Sequence, residues 1–406
     1  MTTPRTTSAA PPKLGRWRRV VIWTLIVLAS VIALVSTLTL WVDRQMFDNN
    51  SWRKASEDVI TDPEIRNSLS IYLVNQLYDN VDVGAAIQNR LPEGAKSLGP
   101  TLAGALRQPA TNAVNQLLAR PRVVNFFVNA SATAHEKLVN VLENKTGFGI
   151  STGNGEVTID LHELVTELGE QLGLSDETLA KLPGKAGVIT LMSSENLGTF
   201  QKIAKAIHVL SGLLLIAVLF MYALAILLAK GHRRETLRNV GFAFATVGLL
   251  VLLVRRFVGN HAVDALASPE YRGPVRDLWL IGSSILHQIG IATVIYGLVA
   301  AAGAIFAGPT RWATSARRHI APTLNENQGI AWFALAGLVL LLAVWGPTHA
   351  LRTWWGVLLV AALFAGGLIA LRHQTLREFP SDSPETDTAA TAPTEPPQAP
   401  ASPAGG

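Results

Sequence analysis

The stretch VVIWTLIVLASVIALVSTLTLWV, residues Val20–Val42, decides the class of fold. It contains no charged residue, and roughly 20 apolar residues of helix cross a hydrocarbon core of about 30 Å. The run is also longer than the roughly 7–15 apolar residues of a signal peptide, and no A-x-A cleavage site follows it. It therefore predicts an uncleaved membrane anchor.

Five further apolar stretches are long enough to cross a bilayer. The chain is 49% hydrophobic and only 16% charged, whereas soluble globular chains carry about 25% charged residues. We therefore expect a mainly helical protein with a six-helix transmembrane bundle. The predicted spans are residues 20–42, 206–229, 240–258, 278–307, 330–346 and 353–371.

The flanks of the spans differ in charge. The N-terminal tail 1–19, the loop between spans two and three, the loop 308–329 and the tail 372–406 are basic close to the spans, while the loop 259–277 is nearly neutral. Because Lys and Arg accumulate on the cytoplasmic side, both termini are predicted to be cytoplasmic. The chain is then a multi-pass protein of the cell membrane, and residues 43–203 form an extracytoplasmic domain.

This domain is predicted to be rich in helix. Asp62-Pro63-Glu64 is a typical helix start, and Ile65, Leu69, Tyr72, Leu73 and Leu77 follow at helical spacing, which predicts one apolar face. Further helices are expected at 83–90, at 102–119 with a break at Pro109, at 122–142, at 161–172 and at 194–207, the last continuing into span two.

A small β-hairpin or sheet is expected within the same domain. Ile150–Thr152 and Val157–Asp160 flank Gly153-Asn154-Gly155, and Asn-Gly favours a tight hairpin turn. Val188–Leu191 is a third candidate strand. By contrast, residues 1–15 and 380–406 are rich in Pro, Ala, Thr and Ser, which predicts disorder.

The catalytic motifs that occur are incomplete. Gly149–Gly153 matches G-x-S-x-G, but a hairpin follows where a nucleophile elbow requires a helix. His162-Glu163 begins the H-E-x-x-H pattern, yet Thr166 stands at the second ligand position. The chain has no cysteine. We therefore expect no catalytic residues, no metal site and no cofactor, and the protein is interpreted as non-enzymatic.

Polar residues within the predicted spans are few. No span interior carries Asp, Glu or Lys, which disfavours an ion-coupled transporter. Span four contains the candidate polar intramembrane residues Ser283, Ser284, His287 and Gln288. It also carries small residues that favour close helix packing, within the bundle or in a homo-oligomer. These are Gly282, Gly290, Gly297, Ala300 and Ala304.

The order of elements resembles a family of uncharacterised integral membrane proteins of high-GC Gram-positive bacteria, over about residues 16–260. The resemblance is carried by the basic N-terminus before one anchor, Trp52 with Thr61-Asp62-Pro63 and Ile65, Phe127 through Ala134-His135, the Gly-rich turn before Val157–Leu161, and His232-Arg233-Arg234. It implies a cell-envelope location and brings no activity, cofactor or catalytic residues.

Three hypotheses follow for function. The preferred one is a cell-envelope protein whose extracytoplasmic domain binds, senses or scaffolds a partner, anchored in the lipid bilayer and without nucleic acid. The alternative is a component of a transport or export system with a polar path in span four. A membrane-embedded enzyme ranks third, because an amphipathic loop explains its only candidate residues, His261, Asp264, Glu270 and Asp277.

Overall fold

A computed structural model describes residues 15–143, 150–151, 156–160, 188–309 and 328–345, with short stretches at 311–319 and 357–373. Within 150–196 it describes the backbone. The protein is mainly helical and divides into two units, Met1–Phe306 and Ala307–Gly406.

The first unit contains ten α-helices among its described residues. Four of them are long and apolar enough to cross a membrane, at Arg16–Phe47, Leu197–Leu228, Arg233–Leu266 and Ser284–Phe306. The helices are α1 (Arg16–Phe47), α2 (Asn49–Thr61), α3 (Pro63–Asn80), α4 (Val83–Gln88), α5 (Gly99–Leu118), α6 (Pro121–Leu142), α7 (Ser194–Leu228), α8 (Arg233–Leu266), α9 (Arg272–Gly282) and α10 (Ser284–Phe306). Two short 3-10 turns lie at Glu93–Leu98 and Pro269–Tyr271.

The outward faces of the four long helices are covered by large apolar side chains. Val27 and Val31 on α1 and Leu213, Ile216 and Phe220 on α7 are all more than one third exposed. Water would be a poor solvent for such a surface, whereas lipid is a good one. The chain is therefore a membrane protein, and the helices that the sequence predicts at spans one to four are present.

The described part of the second unit is also helical. Helix α11, Gln328–Trp345, covers most of the predicted fifth span. Of the predicted sixth span, 353–371, the structure describes ten of nineteen residues in short helical stretches. The count of six spans therefore stays a prediction.

The bundle of the first unit is assembled from two tightly packed pairs, α1 with α7 and α8 with α10. The second pair depends on glycine. A Cβ atom at Gly241 on α8 would lie 2.6 Å from the backbone nitrogen of Ala301, and one at Gly248 would lie 2.7 Å from the carbonyl oxygen of Gly290. Gly297 approaches the backbone of α8 at Ala245 equally closely. The predicted role of Gly290 and Gly297 in close helix packing is confirmed.

Predicted span four, 278–307, is interrupted. Helix α9 ends at Gly282, and α10 begins at Ser284. The fourth long helix lies within the predicted range. The break was not predicted, because apolar residues continue across it and periodicity does not register it. The carbonyl groups that the break leaves without helical partners are bonded by side chains of other helices, as described below.

Helices α2 to α6 form the domain between α1 and α7, here called the α2–α6 domain. Helix α2 packs on α6, and α3 packs on α5. Asp62 caps α3 as predicted, since its side chain accepts hydrogen bonds from the backbone nitrogens of Glu64 and Ile65, each at 3.0 Å. Helix α5 continues through Pro109, so the predicted break there was wrong. Helix α9 packs against α2 and α3, which brings the domain onto the end of the bundle.

Three short strands lie between α6 and α7 along the chain. They are β1 (Ile150–Ser151), β2 (Glu156–Asp160) and β3 (Val188–Ser193), and they pair antiparallel in the order β1-β2-β3. Ile150 pairs with Ile159, and Thr158 pairs with Thr190. The turn 152–155 and the predicted helix 161–172 lie outside the described residues.

Candidate functional site

The four polar residues predicted in span four face different directions. Ser283 is fully buried against α8, and Ser284 is half-buried. His287 and Gln288 are exposed on the outer surface of α10. Of the four side chains, only that of Ser283 is fully buried.

Ser283 instead belongs to the joint between α9 and α10. Arg255 of α8 donates from Nε to Ser283 Oγ at 2.9 Å and from Nη2 to the Leu280 carbonyl at 3.3 Å. Trp41 of α1 donates to the Gly282 carbonyl at 3.1 Å. Backbone carbonyls at a helix end are costly to leave unbonded within a membrane. Arg255 and Trp41 thus stabilise the interruption, and this chemistry is structural.

A second polar cluster lies where α1 leaves the bundle. His208 of α7 places Nδ1 2.6 Å from Asp43 Oδ1 of α1 and Nε2 2.9 Å from Glu143 Oε1, just after α6. Ser211 Oγ donates to Asp43 Oδ2 at 3.0 Å. The two carboxylates lie at opposite nitrogens of the ring, so they do not converge on one ion. Among the described residues, no group of three His, Asp or Glu side chains is arranged to hold a metal.

His135 forms a third contact in the same region. It is buried and stacks on Trp52 of α2 with ring centroids 4.4 Å apart. Its Nε2 donates to the Met46 carbonyl at 3.1 Å, and its Nδ1 lies 3.3 Å from the side-chain oxygen of Asn49. Burial lowers the pKa of His135, although the Met46 carbonyl and the charges of Asp48 and Glu136 oppose that shift. His135 is thus a packed residue.

Helices α3 and α5 carry an exposed apolar surface that was not predicted from the sequence. These helices run antiparallel, because Tyr78 donates to the Ala103 carbonyl near one end of the pair while Arg66 donates to Asn115 near the other. At the middle of the pair, Arg107 of α5 donates to Asn75 and lies over the Tyr78 ring.

Leucines flank this contact on one side. Leu73 and Leu77 each precede an interface residue of α3 by one position, and Leu102 and Leu106 each precede one of α5. Successive residues of an α-helix are rotated by about 100° around its axis. Because the two helices are antiparallel, an offset of one position in each places the two rows of leucines on the same side of the pair. Val81 and Leu98 continue the rows at the end of the pair.

We call this surface the leucine face. Its six side chains are between 37% and 51% exposed, and they are Leu73, Leu77, Val81, Leu98, Leu102 and Leu106. Of the predicted apolar face of α3, Ile65 is buried and Leu69 is half-buried, whereas Tyr72, Leu73 and Leu77 are exposed. Ser70 and Val74 are the other buried residues of α3.

The leucine face was not identified from the sequence because a buried stripe and an exposed stripe have the same spacing. One signal was available. Helix α5 has a single charged residue, Arg107, in the whole of Gly99–Leu118, and that residue is engaged by Asn75 and Tyr78. A surface helix without free charge is unusual in water and indicates that part of its exposed side contacts another surface.

A search against protein-family models, curated proteins and solved structures finds no match for this chain.

Proposed function

We propose that this protein is a non-enzymatic membrane scaffold whose α2–α6 domain binds a protein partner through the leucine face. The observation that carries the proposal is the contiguity of six exposed apolar side chains on two antiparallel helices. Apolar patches rimmed by polar residues mark protein contacts on otherwise soluble surfaces. Gln76 and Asn80 supply such a polar rim on α3, and Asn80 bonds to Gln76.

The rest of the domain supports a binding role because it holds α3 in a fixed position. His135 and His208 join α1, α6 and α7 at the exit of α1, and α9 supports α2 and α3 from the bundle. A helix held in a fixed position lowers the entropic cost of binding, since less side-chain and backbone freedom is lost when the partner docks.

The proposal includes the arrangement in the membrane. It has six spans, both termini on the cytoplasmic side and the α2–α6 domain outside the cytoplasm. The orientation follows from the distribution of Lys and Arg beside the spans. The resemblance to a membrane-protein family of high-GC Gram-positive bacteria fits this location and is part of the same hypothesis. A transport role through span four has weaker support, because Ser283 is engaged by Arg255 while His287 and Gln288 are exposed on α10.

The test is site-specific photo-crosslinking in the full-length protein in its membrane. A photoreactive amino acid at Leu77 is expected to form a discrete protein adduct, whereas one at the exposed Asp79, about 200° away on α3, is not. A Leu102→Glu substitution should abolish the adduct formed at position 77, because a carboxylate cannot be desolvated there without a partner.

Leu102 is on the surface, so the protein should still fold and reach the membrane with this change, which its expression and melting temperature will show. Equal adducts at positions 77 and 79, adducts to lipid alone, or an adduct that persists in the L102E protein would each contradict the proposal.

A further inference from the structure

The opposite end of the bundle carries a separate feature. The N-terminal residues of α1 and the turn between α7 and α8 meet there, and we call this region the turn end, residues 15–26 and 229–239. It contains a cleft of about 230 Å³ between α1 and α8. The lining residues are Arg19, Ile22, Trp23, Ile26, His232, Glu235, Thr236 and Asn239.

The size and chemistry of the cleft define what it can hold. Pockets that bury drug-sized molecules measure about 300–1,000 Å³, so this cleft suits a headgroup and not a whole large molecule. One wall is apolar, from Ile22 and Ile26, and the other is polar. Trp23 is half exposed beside it, with an amphipathic ring suited to the headgroup layer.

Positive potential dominates around the cleft. The turn end has seven basic residues and one acidic residue, Glu235. The basic residues are Arg16, Arg18, Arg19, Lys230, Arg233, Arg234 and Arg238. Helix α8 also begins here without a side-chain cap, and the positive end of its dipole lies in this region.

Two side chains in the cleft are available for binding. Nδ1 of His232 is shielded from solvent and has no hydrogen-bond partner among the residues that the structure describes. Such a buried polar atom is costly unless a ligand or water bonds it. The Arg19 guanidinium lies at the rim, where it can bond a phosphate in bidentate fashion.

We propose that the cleft binds the phosphate headgroup of an anionic phospholipid. Arg19 holds the phosphate and the positive end of the α8 dipole attracts it, while His232, Glu235 and Asn239 bond the hydroxyl groups of a glycerol headgroup. The acyl chains lie along the exposed aliphatic surface of α1 at Val20 and Val27. Basic pockets between transmembrane helices bind anionic headgroups in this way. The site is independent of the leucine face.

The experiment is native mass spectrometry of the full-length protein in detergent, titrated with dioleoyl phosphatidylglycerol. A matched pair of variants separates the cleft from general charge. R19Q removes a lining cation, and R233Q removes an exposed cation of the same end that does not line the cleft. Both lose the nonspecific attraction of one charge, up to about fivefold in affinity.

R19Q is expected to lose about tenfold more than R233Q, because a charge-assisted hydrogen bond to phosphate is lost in addition. Equal losses in the two variants would overturn the proposal. Soluble glycerol phosphate separates the two sources of a phosphate ester. The proposal requires that millimolar glycerol phosphate leaves lipid binding unchanged, and full competition would show that a free phosphate ester is the ligand and refute the lipid assignment.

Discussion

His135 shows how one side chain can link three helices at the exit of α1. It projects from α6, bonds the last turn of α1 through the Met46 carbonyl and stacks on Trp52 of α2. The same indole donates to Ser131 Oγ at 2.9 Å, and Ser131 lies 3.0 Å from Ser56. The contact of α2 with α6 is therefore a small polar network around two stacked rings, a packing that apolar periodicity does not reveal.

The stability of this joint should depend on pH. Burial lowers the pKa of His135 in the folded protein, so over the interval between that pKa and the unfolded value near 6.5 the unfolded chain binds more protons. Stability then falls as the pH falls below about 6.5. We expect the melting temperature of the full-length protein in detergent to drop more between pH 7.5 and 5 than that of H135Q, which cannot titrate there.

H135Q should be less stable than the wild-type protein at pH 7.5, because stacking on Trp52 is lost, and the two melting curves should converge at low pH. Parallel declines in the two proteins would show that His135 does not titrate in this interval and would contradict its assignment as a buried neutral ring.

At the scale of elements, the contact of α8 with α10 depends on glycine at positions where any larger side chain meets backbone. Gly297→Ala would place a methyl group against the backbone of Ala245, which neither helix can avoid without moving apart. Overpacking of this kind costs about 1–3 kcal/mol. We expect G297A to lower the midpoint of unfolding, measured by denaturation in mixed detergent micelles.

Gly303 on the same helix provides the matched control. A Cβ atom there has nothing within 4 Å, so G303A should leave the midpoint unchanged or raise it slightly through helix propensity. A stable G297A protein, or equal losses in both variants, would show that α8 and α10 do not pack through this glycine.

The elements differ in how well the sequence predicts them, for physical reasons. Span one and the start of α3 were predicted because each depends on local chemistry, an uncharged run and an Asp-Pro cap. The break at Ser283 was not, since side chains distant in the sequence bond the groups around it. The continuity of α5 through Pro109 was not either, since it runs against the local preference of proline. The candidate site, the leucine face, was also predicted only in part. The sequence indicates that Leu73 and Leu77 share a face, but only the positions of Val74 and Ala103 show that this face is outside the contact with α5.

At the scale of the whole molecule, two long helices connect the membrane bundle of the first unit with the α2–α6 domain. Helix α1 runs from the turn end into the domain, and α7 returns from β3 to the turn end as one helix of 35 residues. At about 1.5 Å per residue such a helix exceeds a hydrocarbon core of about 30 Å, so its first turns extend beyond the membrane. A displacement of the α2–α6 domain would therefore act on the spans through α1 and α7.

The arrangement of the termini can be tested with alkaline phosphatase, which is active only outside the cytoplasm. Fusions after Asn154 and Ser268 should be active, and those after Gly231 and Gln374 should be inactive. Asn154 lies after α1, Gly231 after α7 and Ser268 after α8. These three fusions should alternate in activity, because successive helices of the first unit reverse direction. Gln374 reports the second unit, since an inactive fusion there requires an even number of spans after α10.

Fusions to green fluorescent protein, which is fluorescent in the cytoplasm, should give the opposite pattern and exclude differences in expression. An active fusion after Gly231 would reverse the orientation of the whole chain and place the leucine face in the cytoplasm. An active fusion after Gln374 alone would leave the first unit as proposed and show that residues 307–374 cross the membrane an odd number of times.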